Sequence, residues 1–468
     1  MRDWRNTLLF KDIAVLNEDF SVSHGMDVRV EGSRIAAVGG ASQGGRSYGG
    51  QPGALDLGAS RPDSAPVERV FDGRGKLLMP GFYNSHTHSS MTLLRGYGEN
   101  LPLREWLTKK IFPLEERLTG EDCYHGTMLA MAESFSHGIV SSSDNYFFCE
   151  DIVRAAVESG AKMNASRGLS FFDDLLDLAG FTPYHESRKL FNDHHGAADG
   201  RIRVDIGMHA EYTATPALIE AVAALSHETG AGVHVHVSET RSEHEECKAK
   251  NGGRTPTQVL ADAGVFDNGG LAAHCVWIEE CDADILKEKG VTAVTCPASN
   301  MKLASGMARV PLLIEKGVNV ALGTDGAASN NSLNFLDDMK LMSLSAKVRL
   351  NDPTALTPEE ALYIATRGGA LAQGRADCGY IKEGYRADLV VLDLSSPSLN
   401  PVYNMANALV FAVSSRDIVM TMVDGKVVYE RGAFPTLDIE RTLHEVERSR
   451  VRILGELGEP VELGASNK

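Results

Sequence analysis

One pattern recurs eight times along the middle of this chain: a short apolar, β-branched run, then a stretch with helical character. The runs fall at 77–83, 138–143, 161–169, 202–209, 232–237, 270–276, 291–296 and 318–323. Runs with no polar face read as strands buried on both sides, as in parallel sheets. Intervening stretches such as 215–229 and 283–289 carry apolar residues three and four apart, the spacing of amphipathic helices. Eight such units over roughly 300 residues predict a (β/α)8 TIM barrel, somewhat longer than the usual ~250. The competing topology, an open doubly wound sheet, lacks its glycine fingerprint after the first strand.

The flanks read differently. Runs at 13–16, 26–32, 35–38 and 67–71 have strand character, as do 387–393, 418–423 and 426–429. Asp424-Gly425 between two apolar runs is a hairpin signal. The predicted fold class is therefore α/β, with a metal-dependent barrel over 76–383 inserted into a small β-sandwich domain. That domain is built from both chain ends, 1–75 and 384–468, and a helix is expected from Asp438 onward. Residues 40–66, rich in Gly, Ser, Pro and Ala, read as a long exposed, flexible loop.

A chain of 468 residues with net charge −17 and no basic stripe argues against nucleic acid or an anionic membrane as partner. Seven scattered cysteines with no C-x-x-C pair fit free thiols in a reducing compartment. No apolar run is long enough to span a bilayer, and the first residues lack a signal-peptide core, so a cytoplasmic location is expected.

The chemistry sits at the ends of the strand runs. His86 and His88 are two apart and so share a face. In the run Val233-His234-Val235-His236-Val237, His234 and His236 also share a face, and periodicity cannot choose between them. Glu239, just past that strand, favours His236 as the ligand and leaves His234 to the interior behind it. His274 ends another run, and Asp325, in Gly323-Thr324-Asp325-Gly326, ends the last. In a barrel these ends meet at one mouth, so His86, His88, His236 and Asp325 can hold one divalent metal with a position left for water. By contrast, His194-His195 and the acidic run around His244 (Glu243, Glu245, Glu246) read as solvated surface.

These motifs carry a resemblance. Pro80-Gly81-Phe82-Tyr83-Asn84-Ser85-His86-Thr87-His88 resembles the opening strand of the amidohydrolase superfamily. The segments Met91 to Gly96, Trp106-Leu107, Ile111 to Glu115, Ala272 to Val276, Pro297 to Leu303 and Gly323 to Asn334 are similar to the 5-methylthioadenosine/S-adenosylhomocysteine deaminases. The resemblance implies one metal per subunit, normally zinc (with Fe2+ or Mn2+ as alternatives), and a homo-oligomer, dimer or tetramer. It also implies that Glu115 binds ribose hydroxyls, that His209 touches the nucleoside, and that Arg167 lies near the 5′ substituent. Departures at Ser89-Ser90, at Ser170 to Asp174 and at Trp277, where histidine is common, bear on that substituent.

The expected reaction is hydrolytic deamination of an adenine nucleoside: S-adenosylhomocysteine, 5-methylthioadenosine, adenosine or 5-deoxyadenosine. Zinc lowers the pKa of a bound water. Glu239 moves its proton to ring N1, His274 orients it, and Asp325 shuttles the second proton to the departing ammonia. Glu239 and Asp325 thus count as catalytic and substrate-facing residues together. Two alternatives belong to the same superfamily: a guanine or 8-oxopurine deaminase, and a triazine-type hydrolase. A non-catalytic scaffold is the remote one, and it would have lost ligands that are all present here.

Overall fold

The structure is a computed structural model describing residues 7–40, 68–173 and 175–461. Most of the 40–66 stretch expected to be a loop, with Val67 and Asp174, lies outside the described residues. Parallel strands form the centre in sequential order. One sheet runs Phe82–Thr87, Ile139–Tyr146, Lys162–Arg167, Ile202–Val204; the other runs Ile206–Ala210, Val233–Val237, Gly270–His274, Val291–Thr295, Val320–Leu322. Every residue of Val233–Val237 and of Val291–Thr295 is buried, so the histidines and threonines in these strands face the interior as the valines do. The sheets are continuous in chain: only half-buried Asp205, bonded by the Asn164 amide at 3.0 Å, separates Ile202–Val204 from Ile206–Ala210.

The last strand lies against the first. Asn84 Nδ2 donates to Thr324 Oγ1 at 2.8 Å, Thr324 N donates to Asn84 Oδ1 at 3.0 Å, and Asp325 N donates to His86 O at 3.0 Å. Helices cover the strands and start where local chemistry predicts. Pro216–Thr229 follows the N-cap Thr215, whose hydroxyl accepts from Leu218 N, has proline in its first turn, and ends at Gly230 with φ 72°.

The two chain ends share one eight-stranded sheet. Its order is Lys426–Glu430, Ile418–Val423, Leu389–Asp393, Lys76–Pro80, Thr7–Leu16, Val22–Glu31, Arg34–Gly40, with Glu68–Asp72 also paired to Thr7–Leu16. The apolar run read as one strand over 77–83 is therefore two. Lys76–Pro80 pairs antiparallel with Leu389–Asp393 in this sheet, and Phe82–Thr87 opens the parallel one. Gly81 makes the exchange: its N–H goes to Asp388 O at 2.9 Å, and a Cβ there would stand 2.3 Å from Val140 Cγ1. The hairpin at Asp424-Gly425 has φ 46° and 74°, the positive pair a tight two-residue turn demands. The helix Ile439–Leu457, capped by Asp438, packs on Gly120–Ser136, where Arg452 reaches Asp122. No helix among the described residues is long and apolar enough to cross a membrane.

Lys162, on a parallel strand, ties the two sheets together. Its buried ammonium pairs with Asp388 and, at 2.8 Å, with Asp424, while the Tyr83 hydroxyl donates to Asp388 at 2.7 Å. Burial works against the charge on Lys162, and the attractions of Asp388, Cys378 and Asp424 together more than offset it. Lys162→Met leaves buried Asp388 without its cation and half-buried Asp424 with Arg386 alone, so chemical denaturation should show a loss of roughly 3–5 kcal/mol. A loss below about 1 kcal/mol would contradict this role.

Candidate metal and active site

Three strand ends bring the predicted ligands together. His86 lies in Phe82–Thr87 with His88 just beyond it, His236 in Val233–Val237, and Asp325 three residues past Val320–Leu322. Asp325 Oδ1 stands 3.3 Å from His86 Nε2 and 3.2 Å from His88 Nε2, and His236 Nε2 is 3.3 Å from His88 Nε2. One donor atom each from His86, His88 and His236 lie within 4.8 Å of one another, and so do those of His86, His274 and Asp325. His274 ends Gly270–His274.

The turns that achieve this are strained. Ser238 (φ 50°), His274 (72°) and Asp325 (61°) occupy the left-handed region, which costs a side-chain-bearing residue about 1–3 kcal/mol and is concentrated at functional sites. Asp325 reaches its place because Gly323 lets the chain pass the first strand: a Cβ there would be 2.9 Å from both His86 Cβ and His86 O.

Each ring is anchored through Nδ1. His88 Nδ1 donates to Asn145 O at 2.6 Å, His236 Nδ1 to His209 O at 2.6 Å, and His274 Nδ1 to Asn300 Oδ1 at 2.8 Å. His86 Nδ1 meets His234 Nε2 at 2.8 Å. With Nδ1 protonated, Nε2 is the atom each ring turns toward the cluster. Burial pulls His86 down to about 4 and His236 well below the usual histidine value, so both are neutral. Burial also opposes a charge on His88, but the Asp325 and Asp144 carboxylates outweigh it and raise that ring to about 9. Asp325 is likewise penalised by burial, yet His86 and His88 hold its carboxyl well below the usual range. Its Oδ2 accepts from Ser299 Oγ at 2.6 Å and Ser329 Oγ at 2.7 Å.

This donor set fits a divalent cation. His86 Nε2 is buried and makes no hydrogen bond. The proton held at His88 sits where a doubly charged ion would compete for the same lone pair. Three imidazole nitrogens with one carboxylate suit a borderline metal such as zinc.

Glu239 is buried beside the cluster, its Oε2 3.8 Å from His274 Nε2 and its Oε1 accepting from Ser305 Oγ at 3.2 Å. Burial raises its pKa, helped by the Asp325 charge and opposed by His274. A cavity of about 400 Å3 is lined by His88, His236, Glu239, His274 and Asp325, and also by Glu115 and His209. Glu115 ends a helical segment, Leu103–Trp106 then Phe112–Glu115, joined by a π-helical turn at Leu107–Ile111; Pro113, which has no N–H to donate, follows that turn. The Tyr146 hydroxyl donates to Glu115 at 2.7 Å, and burial pushes the Glu115 carboxyl up to about 7 against that bond. His209 Nδ1 meets Thr213 Oγ1 at 3.0 Å; burial brings that ring down to about 4.

Arg167 is placed otherwise. Its guanidinium donates to Glu186 at 2.9 Å and to Gly168 O at 2.6 Å, stacks over Phe147, and does not line the cavity. Trp277 faces an adjoining chamber of about 930 Å3 that shares Leu103, Trp106, Phe172, Tyr212 and Leu303 with the first.

The acidic run around His244 is corrected in part. Glu243 and His244 are buried, not solvated. The Glu243 carboxylate accepts from the N–H groups of Ser238 (2.9 Å), Glu239 (2.8 Å) and Thr240 (3.3 Å), and His244 bridges Ser238 Oγ and Glu279. Thr240 three residues before Glu243 is a capping-box signature that marks the helix start Arg241–Lys250 and could have exposed this. Sequence reasoning also missed Tyr146, Ser299, Asn300, Ser305 and Ser329 as partners of site carboxylates and rings; isolated hydroxyl and amide residues carry no periodic signal.

Parallel strands whose ends converge on histidines and an aspartate define a metal-dependent hydrolase. The chain belongs to the amidohydrolase family, whose sequence profile matches residues 77–428, so the resemblance read from its motifs holds. It is 44% identical over 395 residues to a 5-methylthioadenosine/S-adenosylhomocysteine deaminase of Pelotomaculum thermopropionicum, covering 84% of this chain and 90% of that one. It is 41% identical to a 5′-deoxyadenosine deaminase of Methanothermobacter thermautotrophicus, covering 83% and 90%. A crystal structure of a zinc-bound adenosine deaminase from Xanthomonas campestris superposes with a TM-score of 0.84 at 29% identity, covering 96% of this chain and 98% of that one.

Removing the Glu243 carboxylate leaves three backbone donors without their acceptor. Glu243→Ala should therefore cost at least about 2 kcal/mol in urea denaturation. An unchanged midpoint would show that the Ser238–Thr240 turn holds itself.

Proposed function

We propose that this protein is a zinc-dependent aminohydrolase that converts an adenine nucleoside, modified or not at the 5′ carbon, to the inosine analogue and ammonia. The observation that carries the reading is one cavity lined both by a buried carboxyl beside the histidine cluster, Glu239, whose pKa burial raises, and by a second, half-buried carboxyl, Glu115. The first suits proton transfer to a ring nitrogen. The second suits a vicinal diol, which a free purine lacks. The deaminase relatives support the same reading.

His86, His88, His236 and Asp325 would hold the metal, which supplies a water of lowered pKa at neutral pH. Glu239 would take a proton from the attacking water and return it to N1, which makes C6 electrophilic. This role needs a carboxyl outside the ligand set. His274, its Nδ1 committed to Asn300, presents Nε2 to the attacking water. Asp325, steadied by Ser299 and Ser329, passes the second proton to the amino group as the C6–N bond breaks and ammonia leaves. Glu115 accepts from the ribose hydroxyls, and His209 contacts the nucleoside. Trp106, Phe112, Tyr212 and Leu303 wall the cavity against bulk water. Arg167 would reach a 5′ substituent only by leaving Glu186.

For the architecture, we infer that the two parallel sheets close as one (β/α)8 barrel with the Asn84–Thr324 clasp at its seam, carried on a β-sandwich domain from 1–75 and 384–468 together with the strand Lys76–Pro80.

Ammonia release and the adenine-to-hypoxanthine absorbance change, followed across 5′-modified adenosines and free purines, test the activity. Turnover of the nucleosides is expected; turnover of free bases alone would overturn the assignment. Glu239→Gln should keep its metal by elemental analysis while kcat falls about 10²–10⁴-fold, and near-normal turnover would remove Glu239 from the proton path. Because Glu115 titrates at about 7, kcat/KM for ribosides should rise as pH rises through that value and the carboxylate becomes able to accept two hydroxyls. Glu115→Gln should flatten that limb; an identical pH profile would contradict the diol contact.

A further inference from the structure

We infer that His234 is a positioning residue for His86, setting which nitrogen of that ring is free for a cation; the inference rests on the metal site proposed above. The other three rings of the cluster give their Nδ1–H to oxygen acceptors: Asn145 O, His209 O and Asn300 Oδ1. His86 alone gives it to another imidazole, His234 Nε2, at 2.8 Å. The proton order along this chain is fixed from its far end. Ser166 Oγ donates its only proton to Asp144 O at 2.8 Å, so toward His234 Nδ1, 3.3 Å away, it can only accept. His234 Nδ1 therefore carries the hydrogen and Nε2 the lone pair. That lone pair requires the hydrogen of His86 to sit on Nδ1, which leaves the buried, unbonded His86 Nε2 facing Asp325.

The same strand end braces both rings of the His86/His88 pair. Asp144 O terminates the chain behind His86, Asn145 O holds His88, and Asn145 Nδ2 donates to the His234 carbonyl at 3.3 Å. His234 is fully buried and lines neither chamber, so it acts on no substrate directly. Without its lone pair, His86 either buries an unsatisfied N–H or moves its hydrogen to Nε2 and blocks the site.

The test is the zinc dissociation constant of apo-protein, read by competition with a chromophoric chelator, for the wild type, His234→Leu, His234→Gln and Ser166→Ala. Circular dichroism and metal-free thermal unfolding establish that each variant is folded. His234→Leu should weaken zinc binding about 10–100-fold. His234→Gln, which keeps an acceptor near the Nε2 position, should lose clearly less, and Ser166→Ala should fall between the wild type and the leucine variant. A folded leucine variant with wild-type affinity overturns the inference, and so does a glutamine variant that loses as much as leucine, since packing alone would then explain the effect. If the leucine variant does not fold, Ser166→Ala decides: unchanged affinity there overturns the inference. A wild type that binds no zinc overturns the metal site itself, a separate failure.

Discussion

The commitment of every Nδ1 in the histidine cluster is the constraint on which the rest depends. Four imidazoles packed at buried strand ends would repel one another if charged, and they would be useless as ligands if their hydrogens wandered. Fixed acceptors on neighbouring elements settle the second problem, because a ring whose Nδ1–H is already bonded turns Nε2 to the cluster. Those acceptors are correctly placed only if the strands keep their register, so the sheet order and the chemistry are one problem. Burying so many unpaired lone pairs is a stability cost that a bound cation would offset, coupling metal binding to folding.

Three carboxyls near the cavity are given different characters by their surroundings. Asp325, facing His86 and His88 and accepting from two serines, is held ionised. Glu239 and Glu115 lie in drier places with fewer donors, and burial raises both. The same functional group is thus held ionised in one place and pushed toward its protonated form in two others, a separation that suits a site needing acid and base chemistry at one pH.

Much of this was legible in the sequence because parallel strands advertise themselves. Short β-branched runs such as 233–237 and 291–295 mark strands, and the C-terminal end of each is where barrel-like folds keep their chemistry. What escaped is nonlocal. The run 77–83 is apolar throughout, so nothing in it reveals that Gly81 hands the chain from one sheet to another by bonding Asp388. Glu243 and His244 sit in a strongly polar stretch, and only the turn they fold back upon buries them. Period two left His234 and His236 equivalent. The two rings differ because one points at His88 and the other lies behind His86, which pairing with neighbouring strands decides. Arg167 could be matched to a motif, but its ion pair with Glu186 depends on a helix nineteen residues on.

The account claims that segments from residue 86 to residue 325 share one ion. Anomalous diffraction from a crystal of the metal-loaded protein, recorded on both sides of the zinc absorption edge, tests that most directly. The account predicts a single strong peak within about 2.0–2.2 Å of the Nε2 atoms of His86, His88 and His236 and of an Asp325 oxygen. No peak there, or one held by other residues, would contradict it.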